Sequence, residues 1–333
     1  MAIKSKKGIF FTFMALVIVS VLILIFSSDD YITSKNKIPV IKSRVQTADS
    51  YLRSLETSYL KASLYTSSYN ALNSIILYIN QTGSLNNESV LNATFEEVML
   101  NGSINGKNLT TEYGIKLMEE NTFIHRLEDI EEASQDVLHI TTSFDKDGIN
   151  TAIFQSNDTG PWQVGINLTM NYSVYAGYSF NASVARWNKT KTFSVVINIL
   201  GFDDPLYLAN AHYFHAIKEA PFNESEWNFN ALEYHIANQT YKKDKNASSF
   251  LMRFYNDSSK SLCCGIESMI NETLCNSVTD KSYVDYCFWS NECDPGTGYG
   301  VNLHNITGIT TLTYPFKLDE YHIGQYNVTD KIE

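Results

Sequence analysis

Residues 9–26, IFFTFMALVIVSVLILIF, form an uncharged run in which Thr12 and Ser20 are the only polar side chains. As a helix rising ~1.5 Å per residue, a run of this length covers roughly 27 Å, close to the hydrocarbon thickness of a bilayer. A short basic leader, Lys4-Ser5-Lys6-Lys7-Gly8, precedes it. A cleaved secretory signal has an apolar stretch of about 7–15 residues and ends in small side chains. This run is longer and ends in Phe26-Ser27-Ser28-Asp29. It therefore predicts a single retained transmembrane helix with bilayer lipid as its partner. Every later residue then belongs to one side of that membrane.

Asn-x-Ser/Thr triplets decide which side. There are 17, at Asn80, Asn87, Asn92, Asn101, Asn108, Asn157, Asn167, Asn171, Asn181, Asn188, Asn223, Asn238, Asn246, Asn256, Asn271, Asn305 and Asn327. Chance placement of the chain's Asn, Ser and Thr would give roughly five or six such acceptor triplets. None precedes Asn80, so the excess is confined to the downstream part and reads as an N-glycosylated ectodomain. Lys4, Lys6 and Lys7 agree with a cytoplasmic amino terminus, although Lys35, Lys37, Lys42 and Arg44 follow the run closely. The predicted placement is single-pass in the cell membrane, with the ectodomain outside. Without the three leader lysines, 22 basic residues face 36 acidic ones, a net of −14. Such an acidic surface argues against nucleic acid as a partner.

Past a polar exit, Pro39 suits the first turn of a helix. The apolar or small residues Ile41, Val45, Ala48, Leu52, Leu55, Tyr59 and Ala62 form a seam with steps of four and three. After one slip the seam resumes at Tyr65, Tyr69, Leu72, Ile76 and Ile79. This long stalk, 41–79, either lies on the protein's own core or meets copies of itself or other subunits. Gly83, Asn101-Gly102 and Asn105-Gly106 punctuate a decorated connection with a short element at 95–100. A second helix is expected over 111–140, with Leu117, Ile124, Leu127, Ile130, Val137 and Leu138 inward, folding back on the first.

The period then changes to two. Trp162, Val164, Ile166, Leu168, Met170, Tyr172 and Val174 alternate with Asn167, Thr169, Asn171 and Ser173. The pattern repeats at Tyr178, Phe180, Ala182 and Val184, Asn188-Lys189 reads as a turn, and 192–200 as a more buried strand. With 149–154 these make an antiparallel sheet of three or four strands, one face buried and one glycosylated. Stretches 206–219 and 227–240 read as mixed and partly helical, and 250–255 and 283–289 as strands. The fold class is thus α+β, divided into a leader (1–8), a transmembrane helix (9–26), a helical stalk and hairpin (27–140) and a β-rich extracellular domain with disulfides (141–333).

Cys263, Cys264, Cys275, Cys287 and Cys293 lie close together in sequence. On an oxidising side of a membrane they imply two disulfides and one remaining thiol, with the adjacent Cys263 and Cys264 bound to different partners. Their spacing offers no paired zinc ligands. His212 and His215, with His235 downstream, are weighed as ligands and read as surface or packing residues. Asp203-Asp204 before Pro205 reads as a turn, not a calcium loop. Gly296 to Gly300 is a glycine-rich loop without the helix and Lys of a phosphate site. No catalytic motif is present, so no catalytic residue, metal or cofactor is assigned and the chain is not read as an enzyme.

A basic leader ending in glycine before an apolar helix resembles the type IV pilin class of signal. With the strings G-F-D-D-P-L-Y (201–207), Gly265-Ile266-Glu267-Ser268 and F-K-L-D-E-Y-H (316–322), the chain resembles archaeal pilin-like surface proteins. The resemblance implies processing between Gly8 and Ile9 with the helix retained. Bacterial members carry a glutamate where this chain has Phe13, so their usual intersubunit salt bridge is absent here. It also implies a structural or adhesive role at the cell surface, as a filament subunit or minor filament component. The alternative is a membrane-anchored receptor or solute-binding ectodomain.

Overall fold

The computed structural model describes residues 16–21, 38–179, 182–270, 274, 281–289, 302–309 and 315–333. Among the described residues no helix is long and apolar enough to cross a membrane. Of the run 9–26, residues 16–21 are described, and they are helical. The expected transmembrane helix, its fold class and the single-pass placement are corrected accordingly. Gly8 and Ile9 lie outside the described residues.

The chain mixes helices with open sheets and divides into two compact units. The first comprises Met1–Ser67, Glu120–Thr151 and Asn167–Ser194, the second Ser68–Glu119, Ala152–Ile166 and Val195–Glu333. These are not the consecutive segments 27–140 and 141–333. The part beyond residue 200 is also less strand-rich than expected, being built largely of short helices and strands of two to four residues.

The predicted stalk is helical from Ile38–Ser54 through a π-helical turn, Leu55–Tyr59, into Leu60–Thr82. That turn moves the seam. Ala48, Leu52 and Leu55 are buried as expected, the next buried apolar residues are Leu60 and Leu64, and further on Leu72, Ile76 and Ile79 are buried as expected, beside Ala71 and Ile75. The step from Leu55 to Leu60 is one residue longer than an α-helical step, as a π turn requires. It turns Tyr65 and Tyr69 outward, to 43% and 42% exposure. The slip is real, but it sits at 55–60 and not after Ala62. Downstream, residues 95–100 belong to the helix Glu88–Asn101. The helix expected over 111–140 is interrupted: Gly114 (φ 68°) caps Leu109–Tyr113, and a new helix, Phe123–Leu138, starts where Thr122 accepts the His125 N–H at 3.2 Å. Leu127 is buried on that helix, whereas Leu117 is exposed.

Strand Gln163–Ser179 pairs with Ile140–Phe144, Asn150–Phe154 and Ala182–Asn198. Its pairing with Ile140–Phe144 is antiparallel, Thr142 opposite Val174. The alternation read from sequence is the burial pattern: Val164, Ile166, Leu168, Met170, Tyr172 and Val174 are all buried. The other face carries polar cross-strand pairs, Thr169 with Thr192 at 2.7 Å and Thr190 donating to Asn171 at 2.6 Å. Asn188-Lys189 is not a turn, because Ala182–Asn198 runs through it as one strand. Residues 250–255 and 283–289 are not strands either. They contain the helices Phe250–Arg253 and Asp285–Trp289. In the first, the Ser249 hydroxyl accepts the Met252 N–H at 3.4 Å, which starts a turn of helix instead of an extended chain.

Candidate functional site: a buried ion network

The three strings noted in the sequence, with no role attached to them there, meet in the second unit. In the first, Gly201 takes φ 91°, a conformation glycine adopts freely, and its N–H donates to Ile217 O. Asp204 then caps the helix Pro205–Ala211 by accepting the Leu206 N–H at 2.8 Å, with Pro205 in the first turn. In the second string, Gly265 lies so close to the backbone of residues 244–247 that a Cβ there would fall 2.1 Å from Asp244 O. Only glycine fits, and its approach brings Glu267 and Ser268 inward. In the third, Asp319 caps Glu320–Gln325 by accepting the His322 N–H.

At the centre of one half is Arg253, with no exposed surface. Its Nη1 donates to Asp204 Oδ2 at 2.5 Å and to Asp285 Oδ2 at 2.8 Å, and its Nη2 donates to Ile266 O. Tyr207 donates to Ser268 Oγ at 2.8 Å, and Ser268 in turn donates to Asp285 at 2.8 Å. Tyr241 donates to Asp204 Oδ2 at 2.8 Å, so the 2.6 Å contact between its oxygen and His215 Nδ1 is a bond from the imidazole N–H. Burial outweighs the pull of Asp204 and holds His215 down at about 4, neutral at physiological pH. The carboxyl of Asp285 is raised, burial outweighing the Arg253 charge.

The other half is built on Glu267 and His322, both fully buried. Lys242 Nζ lies 3.2 Å from Glu267 Oε1, 3.8 Å from Asp244 Oδ2 and 4.9 Å from the centre of the Tyr326 ring. Tyr326 donates to Glu267 at 2.7 Å. His322 gives Nδ1–H to Asp319 at 2.6 Å and Nε2–H to Glu267 at 3.1 Å. Burial alone would lower the imidazole, but Glu267 and Asp319 outweigh it and push it up to about 10. Burial likewise opposes ionisation of Glu267 and Asp319, yet Lys242 and His322 hold the first down and His322 the second.

Two groups here have metal-ligand geometry, Asp244 with Glu267 and His322, and Cys287 with Asp319 and His322. Both depend on His322, whose two ring nitrogens are already occupied as donors. In the first group, the Lys242 ammonium supplies the cation. Ser268 gives its proton to Asp285 and accepts from Tyr207, in a position with no exposed surface. What the arrangement can do is tie residues 204–215, 241–253, 265–268, 285–286 and 319–326 together through buried groups. A network of this kind is costly to assemble and costly to break.

The other sequence candidates fall elsewhere. His212 is exposed and stays apart from His215, its Nδ1 3.0 Å from Asn80 O. His235 is buried against Thr240 at 2.8 Å, and burial lowers it to about 3. Asp203 is half-buried beside the fully buried Asp204. Cys263 and Cys264 do not take different partners, since their sulfurs are 2.13 Å apart and bonded to each other. Cys287 is buried, and Cys275 and Cys293 lie outside the described residues. Of the sequon asparagines, Asn87, Asn101, Asn108, Asn157, Asn171, Asn188, Asn223, Asn238, Asn256 and Asn327 are exposed. Asn80, Asn92, Asn167, Asn246 and Asn305 are half-buried, and Asn181 and Asn271 are outside the described residues. Sequence reasoning missed Arg253, Lys242, Tyr241 and Asp285. The available signal was a charge set inside an apolar run, as in FLMRFY and YVDYCF. The first unit holds a cavity of about 350 Å³ lined by Tyr51, Tyr59, Ile130 and Leu138 among others. Comparison with protein-family models, curated proteins and solved structures gives no match for this chain.

Proposed function

We propose that this chain is an N-glycosylated cell-surface protein with a structural or adhesive role, a pilin-like subunit or minor component of a surface filament. The observation that carries the reading is where the sequons sit. None of the described ones is buried, and they occur in both units. The ion network supports the same reading. A catalytic cluster must reach substrate, whereas Asp204, Arg253, Glu267, Asp285 and His322 have no solvent access. Glycopeptide mapping of protein taken from its own cells tests the proposal. Glycans on sequons from Asn80 onward support it, and a wholly unmodified chain overturns it. Electron microscopy of the same material separates filament subunit from isolated molecule.

A second reading, a solute-binding protein, is favoured by the cavity in the first unit, whose size suits a small apolar molecule. Native mass spectrometry that finds such a molecule carried through purification would favour it over the structural role.

A further inference from the structure

The sequons are not equivalent in the folded chain. N-glycosylation uses the side-chain amide nitrogen, and the fold has already committed that nitrogen at several of them. At Asn246, Nδ2 donates to the Tyr321 phenol at 2.6 Å, and that phenol donates to Asp244 at 2.9 Å. Asn246 is half-buried on the rim of the ion network. At Asn92 and Asn238, Nδ2 donates to the helix carbonyls of Glu88 and Tyr234, at 3.2 and 3.0 Å. At Asn171 it donates to Asp145 at 3.2 Å.

Asn87 and Asn108 are arranged the other way round. Asn87 Oδ1 accepts the hydroxyl of Ser89, the third residue of its own sequon, at 2.7 Å, and the Val90 N–H at 3.0 Å. Asn108 Oδ1 accepts the N–H of Thr110, again its own third residue, at 2.9 Å, and that of Thr111 at 3.2 Å. Both residues are exposed. The hydrogen bonds hold the oxygen and leave the nitrogen without a partner among the described residues.

We infer that the folded chain accepts glycan at Asn87 and Asn108 and refuses it at Asn246. The inference rests on the glycoprotein reading above. In the transfer, Nδ2 attacks the anomeric carbon of a glycosyl pyrophosphate donor. An N–C bond forms, the C–O bond breaks, the pyrophosphate leaves with its electron pair, and one amide proton passes to the transferase's base. At Asn246 the incoming sugar must displace the Tyr321 phenol and break its bond to the nitrogen. At Asn87 and Asn108 no bond to the nitrogen has to be broken.

The test uses a purified oligosaccharyltransferase and a glycosyl pyrophosphate donor on the full chain, once folded and once denatured, with each site read by peptide mass spectrometry. In the folded chain, transfer to Asn87 and Asn108 should exceed transfer to Asn246 by about tenfold or more, the factor one lost hydrogen bond contributes. Denaturation should abolish that difference. Equal transfer to Asn246 and Asn87 in the folded chain overturns the inference. So does transfer to Asn87 and Asn108 only after denaturation. Because the assay supplies its own transferase, it is decided independently of whether the native protein carries glycan, which tests the reading beneath it.

Discussion

A knot of charge in each unit invites comparison, because the two are built from similar side chains in opposite surroundings. In the first unit Glu56, on the π-helical turn, accepts from Lys189 and Tyr172 at 2.6 and 2.5 Å and from Lys191. The two lysine side chains remain 38% and 41% exposed. In the second unit Arg253, Asp204 and Asp285 have no exposure at all. Water shares the cost of the first knot and screens it. In the second no water helps, so each charge depends wholly on its protein partners. A clip at the surface is dispensable, whereas a buried network commits the whole unit.

The largest effect should follow from Arg253→Met. It leaves Asp204 and Asp285 in a dry core without their cation, and removing one member of a buried ion group costs about 3–5 kcal/mol. Urea unfolding measures this, and a loss below about 1 kcal/mol would erase the contrast between the units. Glu56→Gln should cost about 1 kcal/mol or less. Its cost should shrink as salt is raised from about 0.05 to 0.5 M, while that of Arg253→Met should not. Although its partial burial acts the other way, Lys189, Lys191 and Tyr172 hold Glu56 down at about 2. A depressed carboxylate stabilises above its ordinary value, so this contribution should fade as pH drops from about 4.5 towards 2. A similarly small effect should come from deleting exposed Thr57. Removing one residue turns the five-residue step from Leu55 to Leu60 into an α-helical one and keeps both flanking stripes in phase. Circular dichroism should show an intact helix with stability lowered by about 1 kcal/mol, the value of the disturbed Glu56 clip. A collapse of helix content would refute the assignment of the slip to this turn.

How much of this was legible in the sequence follows from how burial is written there. A strand buried on one face alternates, so Val164 to Val174 could be read directly. The helical seam was legible to Leu55 and again from Leu72 to Ile79, but between them a π turn shifts the phase without any distinctive residue and leaves Tyr65 and Tyr69 exposed. Short apolar runs such as FLMRFY fit strand and helix equally well, and only the Ser249 cap separates them. The three strings were visible as strings, but their convergence joins residues from 201 to 326 and depends on contacts no local pattern encodes. Gly265 shows the limit well. Its identity is forced by the backbone of residues 244–247, which sequence spacing does not place beside it.

The central claim, that the second unit is braced by a sealed network in which the buried His322 carries a charge, is tested most directly at His322. Its folded value lies above the ordinary imidazole value. The stabilisation it contributes is therefore complete below about pH 6.5 and lost as pH rises from there towards its folded value, about 10. Nitrogen NMR of the His322 ring, followed through that range in the folded protein, should show both nitrogens protonated until about pH 10. A ring that titrates near pH 6.5 while the protein stays folded would contradict the account.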